Sequence, residues 1–96
     1  MRKDIEKIKK QISPVLKKHD VKKAAIFGSF ARGENSKNSD IDLLVDFKVR
    51  KSLFDMAGLK NDLEKELSRN VDVLTYRAVH PYIKENVHKD ALKIYG

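Results

Sequence analysis

The chain has 96 residues, with 21 Lys and Arg against 14 Asp and Glu, so its formal net charge is +7. This length allows one domain with a modest core, because a second domain would need roughly another hundred residues. The absence of cysteine excludes disulfides, thiolate zinc sites and cysteine nucleophiles. The longest uninterrupted apolar run is the four residues 24–27, whereas a membrane span needs about twenty. We therefore expect a single cytoplasmic domain over residues 1–96 that does not cross a membrane.

Positive charge is concentrated at the start of the chain. Residues 1–23 hold nine Lys and Arg against three Asp and Glu, a net charge of +6, whereas residues 24–47 hold two against four, a net charge of −2. A basic surface can bind nucleic acid, an acidic protein or a phosphorylated substrate, or it can be a solvated lysine-rich face. Because the lysines are scattered and not interleaved with aromatic residues, the charge alone does not decide among these.

Hydrophobic periodicity predicts helices and strands along the whole chain. In chain order the predicted elements are a helix over 2–19, strands over 22–27 and 40–47, a helix over 53–68, a strand over 71–75 and a helix that opens at 80–81. Residues 91–95 are predicted either as the end of that last helix or as a short edge strand. The alternation of helices and strands predicts an α/β or α+β fold in which helices pack on a sheet.

Two of the predicted helices carry capping signals. Ser13 and Pro14 can begin a helix as N-cap and first helical residue, so the first segment is predicted as two short helices or as one kinked helix. Ser52 is the predicted N-cap of the central helix. Asn70 suits the left-handed position that follows the end of that helix.

The turn after the first strand is a candidate phosphate-binding site. Gly28 lacks a Cβ, so backbone can approach a ligand closely there. Ser29 begins a helical turn whose free N–H groups favour an anion, and its hydroxyl adds a donor. Arg32 lies one turn later and offers a planar fork to a phosphate. If Gly28 and Ser29 stood alone, an ordinary strand-to-helix turn would be the favoured explanation.

Three aspartates form the second candidate feature. Asp40 and Asp42 are two residues apart on one predicted strand, so both carboxylates lie on one face and repel each other unless a cation lies between them. Asp72 lies between two valines, where burial of an unpaired charge would cost several kcal/mol. If the strand of Asp72 neighbours that of Asp40, three carboxylates converge, as in sites that hold two Mg²⁺ or Mn²⁺ ions for phosphoryl or nucleotidyl transfer. Alone, the first pair could be a solvated edge or a loop cap, and Asp46 is expected to be salt-bridged or solvated.

Taken together, these residues resemble the signature of a known family. The matching runs are G-S-F-A-R-G at 28–33 and S-D-I-D-L-L-V at 39–45. They resemble the minimal nucleotidyltransferases of the DNA polymerase beta-like superfamily. The resemblance implies an α+β nucleotidyltransferase fold, with a small mixed β-sheet flanked by helices. It also implies ATP as the substrate and two Mg²⁺ ions as cofactors, with Mn²⁺ as an alternative.

The resemblance further implies a role for each matching residue. The residues that it assigns to nucleotide binding are Gly28, Ser29 and Arg32. The residues that it assigns to catalysis and metal binding are Asp40, Asp42 and Asp72. Metal-dependent transfer of AMP is therefore the activity that the resemblance predicts.

Members of the family are commonly antitoxins, encoded beside an all-helical HEPN ribonuclease toxin. The resemblance implies that they neutralise this toxin by transferring AMP from ATP to a toxin tyrosine, by binding it, or both. A chain of 96 residues has little length left for an acceptor pocket, which favours an acceptor with its own recognition surface, such as a protein. A non-catalytic antitoxin and a transferase for RNA or a small molecule are the alternatives. The clustered carboxylates favour a transferase, and the few aromatic residues near the motif disfavour nucleic acid.

Overall fold

The protein was analysed as a computed structural model, which describes residues 3–31, 33, 40–76, 78 and 91–96. The elements are α1 (Lys3–Lys18), β1 (Val21–Phe27), α2 (Gly28–Ala31), β2 (Ile41–Phe47), α3 (Leu53–Leu67), β3 (Val71–Thr75) and β4 (Leu92–Tyr95). The last segment is therefore a strand and not the end of a helix. The helix predicted to open at 80–81 and most of the loop predicted over 33–39 lie outside the described residues. No helix in the described ranges has the length and apolarity needed to cross a bilayer.

The strands of the described residues form one mixed sheet in the order β3-β2-β1-β4. β1 pairs antiparallel with both β2 and β4, whereas β2 and β3 run parallel. Parallel neighbours need a crossover connection, which α3 provides between β2 and β3. The predicted α+β class, with a small mixed sheet flanked by helices, is confirmed.

The core lies between one face of the sheet and the helices α1 and α3. On α1 the buried side chains recur every three or four residues, and on the strands they follow the two-residue alternation of an extended chain. The core residues are Ile5, Ile8, Ile12, Leu16, Val21, Ala24, Ile26, Ile41, Leu43, Val45, Leu59, Leu63, Val71 and Ile94. Ala25 and Leu44, paired across β1 and β2, are also buried but lie outside this core. The two central strands, β1 and β2, thus have buried side chains on both faces of the sheet.

α1 is one continuous helix with Pro14 inside it. Ser13 does not cap a second helix, because its hydroxyl donates to the Lys9 carbonyl one turn earlier. A proline in a helix interior costs about 3 kcal/mol. Ile12 and Leu16, on either side of the proline, are fully buried, and each such burial contributes about 1.5–3 kcal/mol. Packing against the sheet therefore holds the two halves of the segment in one helix.

α3 begins at the predicted cap. The Ser52 hydroxyl accepts from the Asp55 N–H at 3.2 Å, and the Asp55 carboxylate accepts from the Ser52 N–H at 2.9 Å, which completes a capping box. The Ser52 hydroxyl also donates to the Asp55 carboxylate at 3.0 Å. The bonds that this carboxylate accepts, first from the Ser52 backbone N–H and then from the Ser52 hydroxyl, hold the pKa of Asp55 below its ordinary value. The left-handed residue after the helix is Ser68, with φ of 54°, so its expected assignment to Asn70 is wrong. The Asn70 carbonyl instead accepts from the Ile41 N–H at 3.0 Å, which joins this turn to β2.

Candidate functional site

Asp42 and Asp72 are brought together by the parallel pairing of β2 and β3. The register places Asp42 directly opposite Asp72, and neighbouring strands lie only about 4.7–4.9 Å apart. Residues that are opposite in register share one face of a sheet, so the two carboxylates lie on the same face. The condition that the sequence left open, that the strand of Asp72 neighbours the strand of Asp42, is therefore met. Two like charges this close favour a cation between them.

Asp72 lies on β3, which is an outermost strand of the sheet that the described residues form. Alternate residues on this strand, Asp72 and Leu74, are exposed. Asp72 is therefore not buried between its valine neighbours, and the cost of burying an unpaired charge does not arise there. Strand alternation turns Val71 into the core and turns the next side chain to the other face. The carboxylate is thereby accessible to solvent and to a ligand.

Asp40 is exposed and immediately precedes β2. The described residues contain no group of three His, Cys, Asp or Glu side chains placed to hold a metal ion. Of the three carboxylates predicted to converge, the strand register brings together two, Asp42 and Asp72. Asp46, four residues beyond Asp42 on the same strand, lies opposite Lys23 of β1 and about 13 Å along the strand from the pair.

The turn after β1 lies directly against Asp42. Phe27 is the register partner of Asp42, and Gly28 follows it with φ of +74°, in the left-handed region. A Cβ at Gly28 would lie 2.6 Å from Oδ2 of Asp42, closer than real Cβ atoms approach their neighbours. Both the backbone conformation and the close approach therefore require glycine. An ordinary strand-to-helix turn does not need glycine for both reasons. The close approach also places the candidate phosphate-binding turn beside the candidate metal-binding aspartates.

Ser29 belongs to α2, a single helical turn that contacts both β1 and β2. The first N–H groups of a helical turn have no partner within it, so they are available to an acceptor. The side chain of Ser29 and the whole of Arg32 lie outside the described residues. Their assignment to phosphate binding stays a prediction.

α3 holds the start of β3 through both backbone polar groups of Val71. The Glu64 carboxylate accepts from the Val71 N–H at 3.0 Å, and the Lys60 ammonium donates to the Val71 carbonyl at 2.7 Å. Lys60 also donates to Glu64 at 3.2 Å. The Val71 N–H, followed by Lys60, holds the pKa of Glu64 below its ordinary value. Because Val71 immediately precedes Asp72, these two side chains position Asp72 on β3.

Sequence reasoning missed this positioning pair. Lys60 and Glu64 are four residues apart, a spacing that predicts an ion pair on a helix surface. Their bonds to the next strand carry no sequence signal, because they depend on how α3 packs beside β3.

Comparison with known proteins decides the family. A sequence model described as polymerase beta, nucleotidyltransferase matches residues 10–96. The chain belongs to this nucleotidyltransferase family. The predicted resemblance to minimal nucleotidyltransferases is thereby confirmed, and the paired aspartates lie within the matched region.

Relatives of this nucleotidyltransferase extend over nearly its whole length. A protein of Methanocaldococcus jannaschii, provisionally named a protein adenylyltransferase, is 48% identical over 91 residues, which is 95% of this chain and 98% of the relative. A solved structure provisionally assigned as a minimal nucleotidyltransferase is 34% identical, with a TM-score of 0.79 over 93% of this chain and 91% of that one. A chain in the complex of a tri-AMPylated Shewanella oneidensis HEPN toxin with its MNT antitoxin shares the fold, at 18% identity and a TM-score of 0.74 over 96% of this chain and 72% of that one.

Proposed function

We propose that this nucleotidyltransferase transfers AMP from ATP to a hydroxyl group of a partner protein, in a reaction that depends on a divalent cation. The observation that carries the proposal is the register that places Asp42 opposite Asp72, beside the glycine turn. A relative that shares nearly half of its residues is named for transfer of AMP to protein. Transfer to protein is therefore favoured over transfer to RNA or to a small molecule.

The donor chemistry of the paired carboxylates fits Mg²⁺ or Mn²⁺. Hard carboxylate oxygens are the ligands that these ions take, and substrate phosphates commonly complete their coordination. Asp42 and Asp72 would hold the cations, and Asp40 at the start of β2 would supply the third carboxylate. We propose two Mg²⁺ ions, as the family resemblance implies. When bound, the ions would neutralise the charge that develops on the phosphate oxygens during transfer.

The triphosphate is assigned to the turn after β1. Gly28 lets the backbone of this turn pass close to the Asp42 carboxylate, so a phosphate that reaches this turn also reaches the carboxylate pair. The Ser29 N–H lies in the first turn of α2, and the Ser29 hydroxyl and the Arg32 guanidinium are the further donors that we assign to the phosphates. Their substitution is expected to weaken ATP binding more than folding.

The proposed reaction forms one bond and breaks one. The acceptor oxygen bonds to the α-phosphorus of ATP, and the bond from that phosphorus to the bridging oxygen breaks. Pyrophosphate leaves with the electron pair of the broken bond, and the acceptor hydroxyl gives up its proton. Asp72, the exposed carboxylate on the sheet edge, is the group we assign to accept that proton.

We propose as the acceptor a HEPN-type toxin encoded beside this chain, so that the chain acts as its antitoxin. Tyrosine is the acceptor side chain that the family resemblance implies. A protein acceptor brings its own recognition surface, which suits a site in which the Asp72 carboxylate is exposed.

The experiment that tests the proposal uses the position of a radioactive label in ATP. The purified chain, Mg²⁺ and the neighbouring HEPN-type protein are incubated with ATP labelled either at the α-phosphate or at the γ-phosphate. We expect the partner to carry label from α-labelled ATP and none from γ-labelled ATP. Label from the γ-phosphate would show phosphoryl transfer instead, and label on added bulk RNA with none on the protein would favour the RNA alternative.

A further inference from the structure

Large apolar side chains are exposed together around the start of α3. Val49 is 56% exposed, Leu53 is 85% exposed and Phe54 is 90% exposed. Among the described residues only one other large apolar side chain is exposed, Leu74, and its exposure is lower, at 38%. A single exposed apolar residue is ordinary, but three within six positions of the chain form a patch that folding does not use. α3 joins the core only further along the helix, at its fully buried leucines.

Two cations flank the apolar side chains. Lys48 and Arg50 are exposed, and no ion pair of either side chain occurs within the described ranges. Lys51, in the same loop, differs because its ammonium lies 3.0 Å from the Asp20 carboxylate. A cavity of about 600 Å³ opens beside the loop, and its lining includes both exposed cations together with Val49. The cavity also has Asp46 in its lining, and it adjoins the basic part of the patch, whereas Leu53 and Phe54 lie outside its lining.

We propose that a basic–apolar surface, formed by Lys48, Val49, Arg50, Leu53 and Phe54, binds a protein that presents apolar side chains flanked by carboxylates. The identity of that protein as the AMP acceptor rests on the proposed function. Its carboxylates would pair with the two cations, and its apolar side chains would cover the exposed Leu and Phe. Complementary charge around an apolar centre is the usual composition of a specific protein interface.

The composition of the surface favours a protein over nucleic acid. Single-stranded nucleic acid is bound by rows of aromatic side chains on which successive bases stack. The basic–apolar surface has one exposed aromatic ring, Phe54, and two aliphatic side chains that offer no flat face. The adjoining cavity adds Phe47 and Tyr76, but both are half-buried and do not form an exposed row. Aromatic and Arg side chains such as Phe54 and Arg50 are enriched at protein interfaces.

The surface lies at the other end of β2 from the candidate active site. Asp42 and Phe47 are five residues apart on this strand, which corresponds to about 17 Å, and Phe47 lines the cavity beside the surface. A protein bound there would leave the carboxylate pair open to ATP. Docking and transfer are therefore separable by mutation.

The first experiment measures binding without ATP, by calorimetry against the neighbouring HEPN-type protein. Phe54→Asp is expected to weaken binding at least about tenfold, because it puts a charge in the centre of the apolar contact. The exposed Asn61→Asp places the same charge two helical turns further along α3 and should bind as the unaltered chain does. Both variants should melt like the unaltered chain. Equal binding by Phe54→Asp, or no binding by the unaltered chain, would overturn the proposal.

The second experiment measures transfer of α-label from ATP to the same protein. We expect a higher KM for the partner protein, with kcat retained, in two variants. One is Phe54→Asp, and the other is the double variant that combines Lys48→Glu with Arg50→Glu. ATP binding by these variants should be unchanged. Loss of RNA binding in the Lys48 and Arg50 variant, with binding of the partner intact, would overturn the proposal in favour of nucleic acid. If the unaltered chain binds the partner but transfers no label, the proposed function fails while the docking surface stands.

Discussion

Replacement of Gly28 by alanine is the sharpest perturbation of the candidate site that the geometry allows. Alanine in the left-handed region costs about 1–2 kcal/mol, and Gly28 has φ of +74°. In a domain of this size, each kcal/mol lowers Tm by roughly 4–8 °C. We therefore expect Gly28→Ala to remain folded near 25 °C, with a visibly lower Tm.

The larger effect of Gly28→Ala falls on Asp42. The new Cβ would lie 2.6 Å from Oδ2 of Asp42, and real Cβ atoms essentially never lie closer than 3.0 Å, so the carboxylate and the turn must move apart by at least about 0.4 Å. Displacements approaching 1 Å at a reacting centre can cost about a hundredfold in rate. We expect transfer to fall by about ten- to a hundredfold, with weaker Mn²⁺ binding in a calorimetric titration.

The control for Gly28→Ala is Gly33→Ala, at an exposed glycine with φ of +77°. It carries the same backbone cost, so both variants should lose similar stability. Only Gly28→Ala should weaken Mn²⁺ binding. Unchanged Mn²⁺ affinity and transfer in Gly28→Ala would refute the argument that this glycine makes room for the Asp42 carboxylate.

Three further predictions concern residues of α3. Glu64→Ala should weaken Mn²⁺ binding about tenfold, because it frees the start of β3, whereas the exposed Glu66→Ala should not, as a calorimetric titration of both variants would show. The pKa values of Asp55 and Glu64 are lowered in the folded protein, so both carboxylates should stabilise it fully above their ordinary pKa values of 3.8 and 4.5. This stabilisation should be lost as the pH falls below those values, which urea unfolding from pH 7 to pH 3 measures. An equal loss of stability in a variant that lacks both carboxylates would contradict the prediction. Gly58→Ala should raise the free energy of unfolding by about 0.5–1 kcal/mol, since the one contact of its Cβ among the described residues would be His19 at an ordinary 3.7 Å. A lower urea midpoint would count against this prediction.

Much of the fold was predictable because its signals are local. The spacing of Ile5, Ile8 and Ile12 predicts α1, and the Ser52 cap predicts the start of α3. Pro14 shows the limit of such signals: its local effect favours a break, while burial on both sides of it favours one helix, and only the packed structure decides between them. The left-handed residue after α3 was misplaced for a similar reason, since Ser68 adopts that conformation without the Gly or Asn that usually marks it.

The sequence alone allowed the residues of the candidate site to be predicted, but not their arrangement in space. The two-residue spacing of Asp40 and Asp42 and the glycine turn are visible in the sequence. The pairing of Asp42 with Asp72 depends on which strand lies next to β2, and that follows from the crossover through α3. The exposure of Asp72 likewise follows from the edge position of β3, which its two flanking valines conceal.

The intact mass of the partner protein after incubation with ATP, Mg²⁺ and this chain tests the role of the paired aspartates most directly. We expect the partner to gain the mass of AMP with the unaltered chain and with Asp46→Asn, which changes a carboxylate on the same strand outside the pair. We expect no gain with Asp42→Asn or Asp72→Asn, each folded as judged by its melting curve. AMP addition by either of these two variants at the rate of the unaltered chain would contradict the claim that the paired aspartates of β2 and β3 carry the transfer.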